Sequence, residues 1–181
     1  MTQQIFDLRP FPGSNVPTDV RITTRVERRS NLLTVRYSLK DSSSLIAIPL
    51  MVDPSQRKSK LWEETCFECF AAKKPGFSNE YWEFNLSPSG NWNVYRFDAY
   101  RQAMKAEVGF SALPFRVNRA QESLTLEVEI DLGKIGLRDV PVQVGITAVV
   151  KLKTGDVSYW ALAHCGKQPD FHLRESFVIE L

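Results

Sequence analysis

Both histidines of the sequence lie in one short segment, HCGKQPDFH, at residues 164–172. Imidazole, thiol and carboxylate groups bind zinc in proteins, so this segment has the composition of a metal site. Its spacing matches no zinc motif, however, and we expect neither a metal nor another cofactor. Instead, His172 is expected to hydrogen-bond a ligand or the backbone, and His164 to fasten the loop through Asp170 or a backbone carbonyl.

Cysteine and carboxylate residues elsewhere could carry nucleophilic or acid–base catalysis. Cys66 and Cys69 alternate to opposite faces of a predicted strand, so they cannot hold one ion together, and buried thiols are usually inert. Glu68 and Glu83 lie on neighbouring predicted strands, which leaves a paired-carboxylate hydrolase open as an interpretation. No GxSxG, HExxH or phosphate-binding glycine loop is present, so we predict a protein without catalytic activity.

A polar surface next to an aromatic residue is predicted for the middle of the chain. Alternation on two neighbouring predicted strands directs four polar side chains to one face: Glu68, Glu83, Asn85 and Ser87. Trp62 precedes this face on a loop. Aromatic rings cover the apolar C–H face of a sugar, while amide and carboxylate groups bind its hydroxyls, so this combination favours a sugar-like ligand.

The elements that must position these residues are strands, because apolar and polar residues alternate with a period of two. The alternation is clear at residues 20–29, 33–40, 124–131, 142–148 and 177–181. The first two runs flank a short polar break and predict a β-hairpin. Many short strands with little helix predict an all-β fold, a jelly-roll-like antiparallel β-sandwich that forms a single domain over residues 1–181.

Two further segments are predicted from their local pattern. Residues 100–107, YRQAMKAE, could form a two-turn helix. Residues 53–60, DPSQRKSK, are polar and predict an exposed, mobile loop that leads to Trp62.

Composition and charge exclude several classes of protein. The chain has 181 residues, of which 43% are hydrophobic, and its formal net charge is only +2. Such hydrophobicity excludes general disorder, and so small a charge argues against nucleic acid as a partner. Basic residues among the first 40 positions fall where alternation directs side chains to solvent, so we interpret them as the water-facing side of a hairpin.

Targeting signals are not evident in the sequence. The N-terminal residues MTQQIFDLRPFPGS include no apolar run of the kind found in secretory signals, and no stretch approaches the roughly 20 apolar residues of a membrane span. The three cysteines, an odd number, do not describe a disulfide framework. We therefore expect a cytoplasmic protein without a membrane partner, and no feature indicates its oligomeric state.

Three parts of the sequence resemble carbohydrate-binding module family nine. The run LWEETCFECF at 61–70 resembles the family's tryptophan followed by a V-E-x-F strand, and WEFNLSPSG at 82–90 resembles its next strand. The residues WALAH at 160–164, PDFH at 169–172 and FVIEL at 177–181 resemble its C-terminal loop and strand. The sequence is also similar to stand-alone DOMON-like proteins, which share this module's fold.

The resemblance implies a β-sandwich that binds the reducing end of a glycan between two aromatic rings. Trp62 matches the first ring, Phe171 falls close to the second, and Glu68 matches a carboxylate that hydrogen-bonds the sugar. Asn85 falls where the family has an arginine that reaches the sugar, and Ser87 where it has a ligand-contacting asparagine. These differences from the family pattern affect which ligand would bind more than they affect the fold.

We therefore predict a non-catalytic module that binds a small, sugar-like molecule. The predicted ligand-binding residues are Trp62, Glu68, Asn85, Ser87, Phe171 and His172. A structural or protein-interaction β-sandwich that has lost sugar binding is the alternative, and an uncharacterised enzyme is a third. A haem site, known in some DOMON relatives, would need facing axial ligands, for which Met104 and His172 are the candidates.

Overall fold

Thirteen strands form two antiparallel sheets in the computed structural model of the protein, which describes residues 4–74, 76 and 78–181. In chain order the strands are β1 (Gln4–Asp7), β2 (Arg9–Pro10), β3 (Val20–Arg29), β4 (Leu32–Asp41), β5 (Cys66–Lys73), β6 (Tyr81–Leu86), β7 (Trp92–Phe97), β8 (Lys105–Ala106), β9 (Phe115–Arg119), β10 (Ser123–Asp131), β11 (Val142–Lys151), β12 (Val157–Ala161) and β13 (Ile179–Glu180). Short 3₁₀ turns lie at η1 (Leu61–Glu63), η2 (Leu132–Ile135) and η3 (Arg174–Ser176). Within the described residues, no helix is long and apolar enough to cross a membrane. Residues 1–3 of the predicted domain, and residues 75 and 77 between β5 and β6, lie outside the described residues.

The two sheets pack on each other as a β-sandwich, which confirms the predicted all-β fold. The first sheet has five strands in the order β1-β3-β4-β10-β9. The second has eight, in the order β2-β12-β11-β5-β6-β7-β8, with β13 paired to β11. Apolar side chains from the inner faces of both sheets form the core between them, and the strand order places β5 and β6 away from the edges of the second sheet.

The β3–β4 hairpin is the one that the sequence predicts. Val26 faces Val35 in the antiparallel register, and Ser30 forms the turn with a φ of 54°. Arg21 and Arg25 are exposed on the opposite face of β3, as expected for the water-facing side of a hairpin. The predicted strands at 124–131 and 142–148 are likewise confirmed as parts of β10 and β11.

The helix predicted at residues 100–107 is wrong. Ala99 and Gln102 form an isolated antiparallel bridge, and Arg101 and Ala103 both have a φ of 52°. Left-handed residues cannot continue a right-handed helix. The segment instead returns as β8 along the edge of β7, so long-range strand pairing overrides the local pattern.

The strand predicted at residues 177–181 is correct only at its end, where β13 pairs with β11. Phe177 follows η3 and packs on the outer face of the second sheet, whereas Ile179 enters the core between the sheets. The expectation that these two side chains share a face is therefore wrong, because the turn at η3 breaks the period of two. This turn carries the C-terminal segment from the outer face to the edge of the core.

A second hydrophobic cluster, the outer cluster, covers the face of the second sheet that points away from the first sheet. Its members include Phe70, Tyr81, Tyr95, Phe97, Phe171 and Phe177, with Trp62 packed against it. Gly145 of β11 lies under Phe177, and a Cβ atom at this glycine would come within 2.9 Å of the Phe177 Cδ1 atom. The absence of a side chain thus lets the C-terminal segment lie directly on the sheet.

The predicted loop at residues 53–60 is largely exposed and leads into η1. It is nevertheless anchored to β7 by Arg57, whose Nη1 donates a hydrogen bond to Asn93 Oδ1 at 2.8 Å. The Arg57 guanidinium also lies 4.4 Å from the centroid of the Trp92 ring. These contacts oppose the free movement that the polar sequence predicts, and they fix the approach to Trp62.

A buried hydrogen bond between Tyr37 and Glu68 joins the two sheets. Tyr37 of β4 is fully buried, and its hydroxyl donates to the Glu68 carbonyl of β5 at 2.7 Å. We expect Tyr37→Phe to lower the free energy of unfolding by about 1–2 kcal/mol, because the bond is lost with little change of shape. Urea denaturation measures the loss, and Tyr159→Phe, which removes an exposed hydroxyl, should unfold like the wild type. Equal stability of Tyr37→Phe and the wild type would contradict this role.

Candidate functional site

A pocket of about 310 Å³, here called the outer-face pocket, opens on the outer face of the second sheet. Strands β5, β6 and β11 contribute its floor, while η1, β12 and the segment at 169–172 contribute its walls. The lining side chains include Trp62, Glu68, Glu83, Tyr159, Phe171 and His172. A cavity of this volume suits a small organic molecule.

Two buried carboxyl groups form the polar part of the floor. Glu68 of β5 is 3% exposed and Glu83 of β6 is 4% exposed. The strand register places Thr147 and Asn85 on either side of Glu68. Thr147 Oγ1 donates to Glu68 Oε2 at 3.2 Å, and Asn85 Nδ2 donates to Glu83 Oε1 at 2.7 Å. Each carboxyl group therefore has one oxygen bonded to the sheet and one without a hydrogen-bond donor among the described residues.

Burial shifts the ionisation of both carboxyl groups in the same direction. It raises the pKa of Glu68 well above the ordinary value, and the charge of Glu83 raises it further. Burial also raises the pKa of Glu83 to about 7, although the hydrogen bond from Asn85 and the charge of Arg101 act against this shift. Neighbouring carboxyl groups in a poorly solvated site do not readily carry two charges, so the pair retains a proton near neutral pH.

His172 lies at the side of the pocket and is uncharged at neutral pH. Burial, assisted by the charge of Arg101, lowers the pKa of His172 to about 4. The Tyr81 oxygen lies 2.8 Å from His172 Nδ1 and accepts a hydrogen bond from the Arg101 backbone N–H at 3.1 Å. The Tyr81 hydroxyl can therefore donate its own proton to Nδ1. This bond favours the neutral form of His172 that carries its proton on Nε2. Nε2 is 3.9 Å from Glu83 Oε2, beyond hydrogen-bond distance.

Asp170 joins the two loops that border the pocket. Its Oδ2 accepts from the Tyr100 hydroxyl at 2.5 Å, and its Oδ1 accepts from Arg101 Nη2 at 2.9 Å. The same Oδ1 accepts from the His172 backbone N–H at 3.0 Å. One carboxylate thus holds the turn after β7 against the segment that carries His172.

Aromatic side chains border the pocket from two directions. Trp62 of η1 is half-buried, and its ring centroid lies 5.8 Å from that of Tyr95. The ring of Phe171 lies 6.0 Å from that of Tyr159, which is 36% exposed. Each ring is therefore braced by another ring, which limits its rotation and preserves the shape of the wall.

Four of the six predicted site residues line this one pocket: Trp62, Glu68, Phe171 and His172. Asn85 is fully buried and does not line the pocket itself, but it donates a hydrogen bond to Glu83, which does. Ser87 lies beyond the end of β6, where its Oγ accepts hydrogen bonds from the backbone N–H and the hydroxyl of Ser89. On β6 it is therefore Glu83 that lines the pocket, with Asn85 behind it, whereas the resemblance implied Asn85 and Ser87.

Other lining residues were absent from the predicted site. Arg101 and Met104 come from the segment that local pattern assigned to a helix, and no sequence signal placed it beside β5. Tyr159 could have been found, because the alternation around Trp160 directs it to the outer face. Glu83 could also have been found, because alternation on neighbouring predicted strands directs it to the same face as Glu68.

The residues considered as metal ligands are dispersed. His164 Nε2 donates to the Arg9 carbonyl at 2.9 Å, which confirms the expected attachment through a backbone carbonyl. Cys69 belongs to the core between the sheets, whereas the Cys66 thiol contacts Asn85 on the other face, so the two cysteines point apart as predicted. In the part of the chain that the structure describes, no three His, Cys, Asp or Glu side chains are grouped as a metal site.

The fold places the chain in the class of β-sandwiches built like carbohydrate-binding modules. No protein-family model matches the sequence, and no curated protein matches it. A solved "putative carbohydrate-binding protein" from Bacteroides uniformis is similar in structure, with a TM-score of 0.69 and 14% identity over 96% of this chain and 84% of that one. A family nine carbohydrate-binding module from Caldicellulosiruptor kristjanssonii, solved with cellotriose, has a TM-score of 0.55 and 11% identity over 88% of this chain and 72% of that one.

The protonation of Glu83 should make stability depend on pH. Its folded pKa of about 7 exceeds the ordinary value of 4.5, so its stabilising contribution is complete below about pH 4.5 and is lost as the pH rises through about 7. Glu83→Gln cannot ionise, so it should gain on the order of 2–3 kcal/mol relative to the wild type between about pH 5 and about pH 8. Urea unfolding of both proteins across this range measures the difference.

The control for this experiment is Glu127→Gln, which changes a carboxylate of the first sheet that lies 3.5 Å from Arg36. It measures the effect of a glutamate-to-glutamine change that leaves the floor of the pocket intact. The lowered pKa of His172 contributes folding stability that is lost as the pH falls from 6.5 through about 4. The variant and the wild type share this contribution, so it cancels in the comparison. A difference between Glu83→Gln and the wild type that does not change with pH would contradict the raised pKa.

Proposed function

We propose that this chain acts as one non-catalytic domain that binds a small, sugar-like molecule in the outer-face pocket. The observation that carries the proposal is a floor with buried carboxyl groups, Glu68 and Glu83, beside walls that contain Trp62, Tyr159 and Phe171. Aromatic rings pack against the C–H groups of a sugar, and carboxyl groups bind its hydroxyls. A ligand with one apolar surface and several hydroxyl groups suits this combination.

The similar solved structures give this proposal further support. One is described as carbohydrate-binding, and the family nine module holds cellotriose. The resemblance of the sequence to family nine selects Trp62, Glu68 and Phe171 as ligand contacts, and these three side chains lie together here. His172 would add a hydrogen-bond donor at Nε2. Asn85 would act indirectly, by orienting the carboxyl group of Glu83.

Removal of the Trp62 ring tests the proposal. We expect Trp62→Ala to weaken binding of a mono- or disaccharide by about tenfold or more, because the stacking surface is lost. Calorimetric titration with glucose, galactose, mannose and cellobiose measures the affinity. A bound sugar at millimolar concentration should also raise the melting temperature, since it stabilises only the folded state.

Two variants serve as controls for Trp62→Ala. Leu50→Ala removes a side chain that is 81% exposed and does not line the pocket, so it should bind like the wild type. Ser87→Ala should also retain binding if β6 acts through Glu83 and Asn85. An unchanged isotherm for Trp62→Ala would exclude this pocket as the site. If no sugar binds at millimolar concentration, a structural or protein-interaction role becomes the better account.

The carboxyl pair also raises the alternative of a glycoside hydrolase, because Glu68 and Glu83 occupy one pocket and have raised pKa values. A binding module returns its ligand unchanged, whereas a hydrolase converts it. Proton NMR of cellobiose incubated with the protein distinguishes these outcomes. Release of glucose by the wild type, and not by Glu68→Gln, would replace the proposed function with catalysis.

A further inference from the structure

We propose that the ligand of the outer-face pocket carries a protonated amino group, so that the sugar class it binds is an amino sugar. This inference rests on the proposed function of the same pocket and specifies its ligand. It follows from three features of the pocket: carboxyl oxygens without a hydrogen-bond donor at the floor, an arginine at the rim that is already paired with Asp170, and aromatic walls.

The first feature is the unpaired half of each buried carboxyl group. Thr147 and Asn85 each bond one oxygen, which leaves Glu68 Oε1 and Glu83 Oε2 without a donor among the described residues. The nearest nitrogen to Glu83 Oε2 from a basic side chain is His172 Nε2 at 3.9 Å. A buried carboxylate without a partner is costly, so this floor favours a ligand that brings hydrogen-bond donors with positive charge.

The second feature is the balance of charge around the floor. Arg101 is the cation among the lining residues of this pocket, and its guanidinium is paired with Asp170 at 2.9 Å. His172 is neutral at pH 7. When ionised, Glu68 and Glu83 give the pocket a negative charge that Arg101, already paired with Asp170, offsets only in part: its charge lowers the pKa of Glu83, but that pKa stays above its ordinary value. An ammonium group between them would supply the balancing positive charge and up to three hydrogen-bond donors.

The third feature is the aromatic wall. Trp62, Tyr159 and Phe171 border the same space as the carboxyl groups. Aromatic faces attract cations through their π electrons, in addition to their packing against the C–H groups of a sugar ring. An amino sugar combines both surfaces in one molecule, whereas a neutral sugar leaves the charge of the floor without a partner.

The other ionisable groups around the pair remain uncharged, so they do not alter the balance of charge at the floor. Burial raises the pKa of the Cys66 thiol and of the Tyr37 phenol well above their ordinary values, so both stay neutral. Burial also raises the pKa of Tyr81 to about 12. Glu83, with a pKa of about 7, is therefore the group of the floor that titrates near neutral pH, and amine binding should weaken as the pH falls and Glu83 becomes protonated.

The experiment compares three ligands that differ at one substituent: glucose, glucosamine and N-acetylglucosamine. Calorimetric titration at about pH 7, in buffer with a metal chelator, measures the three affinities for the wild type. We expect glucosamine to bind about tenfold tighter than the two uncharged sugars, because a hydrogen bond to a charged group is stronger than one between neutral groups. This preference should shrink at about pH 5.5, where Glu83 is mostly protonated.

Glu68→Gln and Glu83→Gln test the origin of this preference. Each keeps the shape of the side chain and removes one ionisable carboxyl group of the pair, so each should bring the glucosamine-to-glucose affinity ratio towards one. Glu127→Gln, on the first sheet, should keep the wild-type ratio. Circular dichroism and melting temperature establish that each variant is folded before its ratio is interpreted.

The outcomes separate this inference from the proposed function. A preference for glucosamine that disappears in both pocket variants supports the inference. Equal binding of glucose and glucosamine would overturn it and leave sugar binding in place. If none of the three sugars binds, both the inference and the proposed function fail.

Discussion

Strands β5 and β6 carry side chains that are buried on both faces of the second sheet. Their inner side chains meet the first sheet, and their outer side chains lie under the outer cluster and the C-terminal segment. A strand buried on both sides cannot expose every second residue to water. Any polar residue on its outer face must therefore find partners within the protein, change its ionisation, or face a pocket.

Glu68 and Glu83 meet this constraint by all three means. Thr147 and Asn85 bond one oxygen of each carboxyl group, burial raises both pKa values, and both side chains line the outer-face pocket. A fully apolar floor would be simpler to fold, because it carries no cost of desolvating a carboxyl group. The presence of two carboxyl groups in this position supports the proposal that the pocket binds a ligand.

The borders of the pocket depend on contacts between segments that are distant in sequence. Asp170 connects the turn at residues 100–101 with the backbone of His172, and the small size of Gly145 lets Phe177 approach the sheet. These contacts hold Phe171 at the border of the pocket that Trp62 also lines, although the two residues are far apart in the chain. The similarity to carbohydrate-binding folds concerns the sandwich, and the borders of the pocket are formed by this chain's own loops.

Local alternation was sufficient to predict most of the strands, because a residue's face in a strand follows directly from its position along the chain. It identified the β3–β4 hairpin, β10, β11 and the shared face of Glu68 and Glu83. The helix pattern at residues 100–107 and the alternation at Phe177 gave wrong predictions, because pairing with a distant strand or a turn decides the conformation there.

The sequence by itself determined the all-β class and the chemistry available to a site: a tryptophan before a strand that contains a glutamate, and a histidine loop near the C-terminus. Only the tertiary structure decided which of these groups meet. It placed Glu83, Arg101 and Tyr159 in the pocket and left Ser87 in a turn. The reason is that register and loop attachment are set by contacts between residues far apart in the chain, and local periodicity carries no information about them.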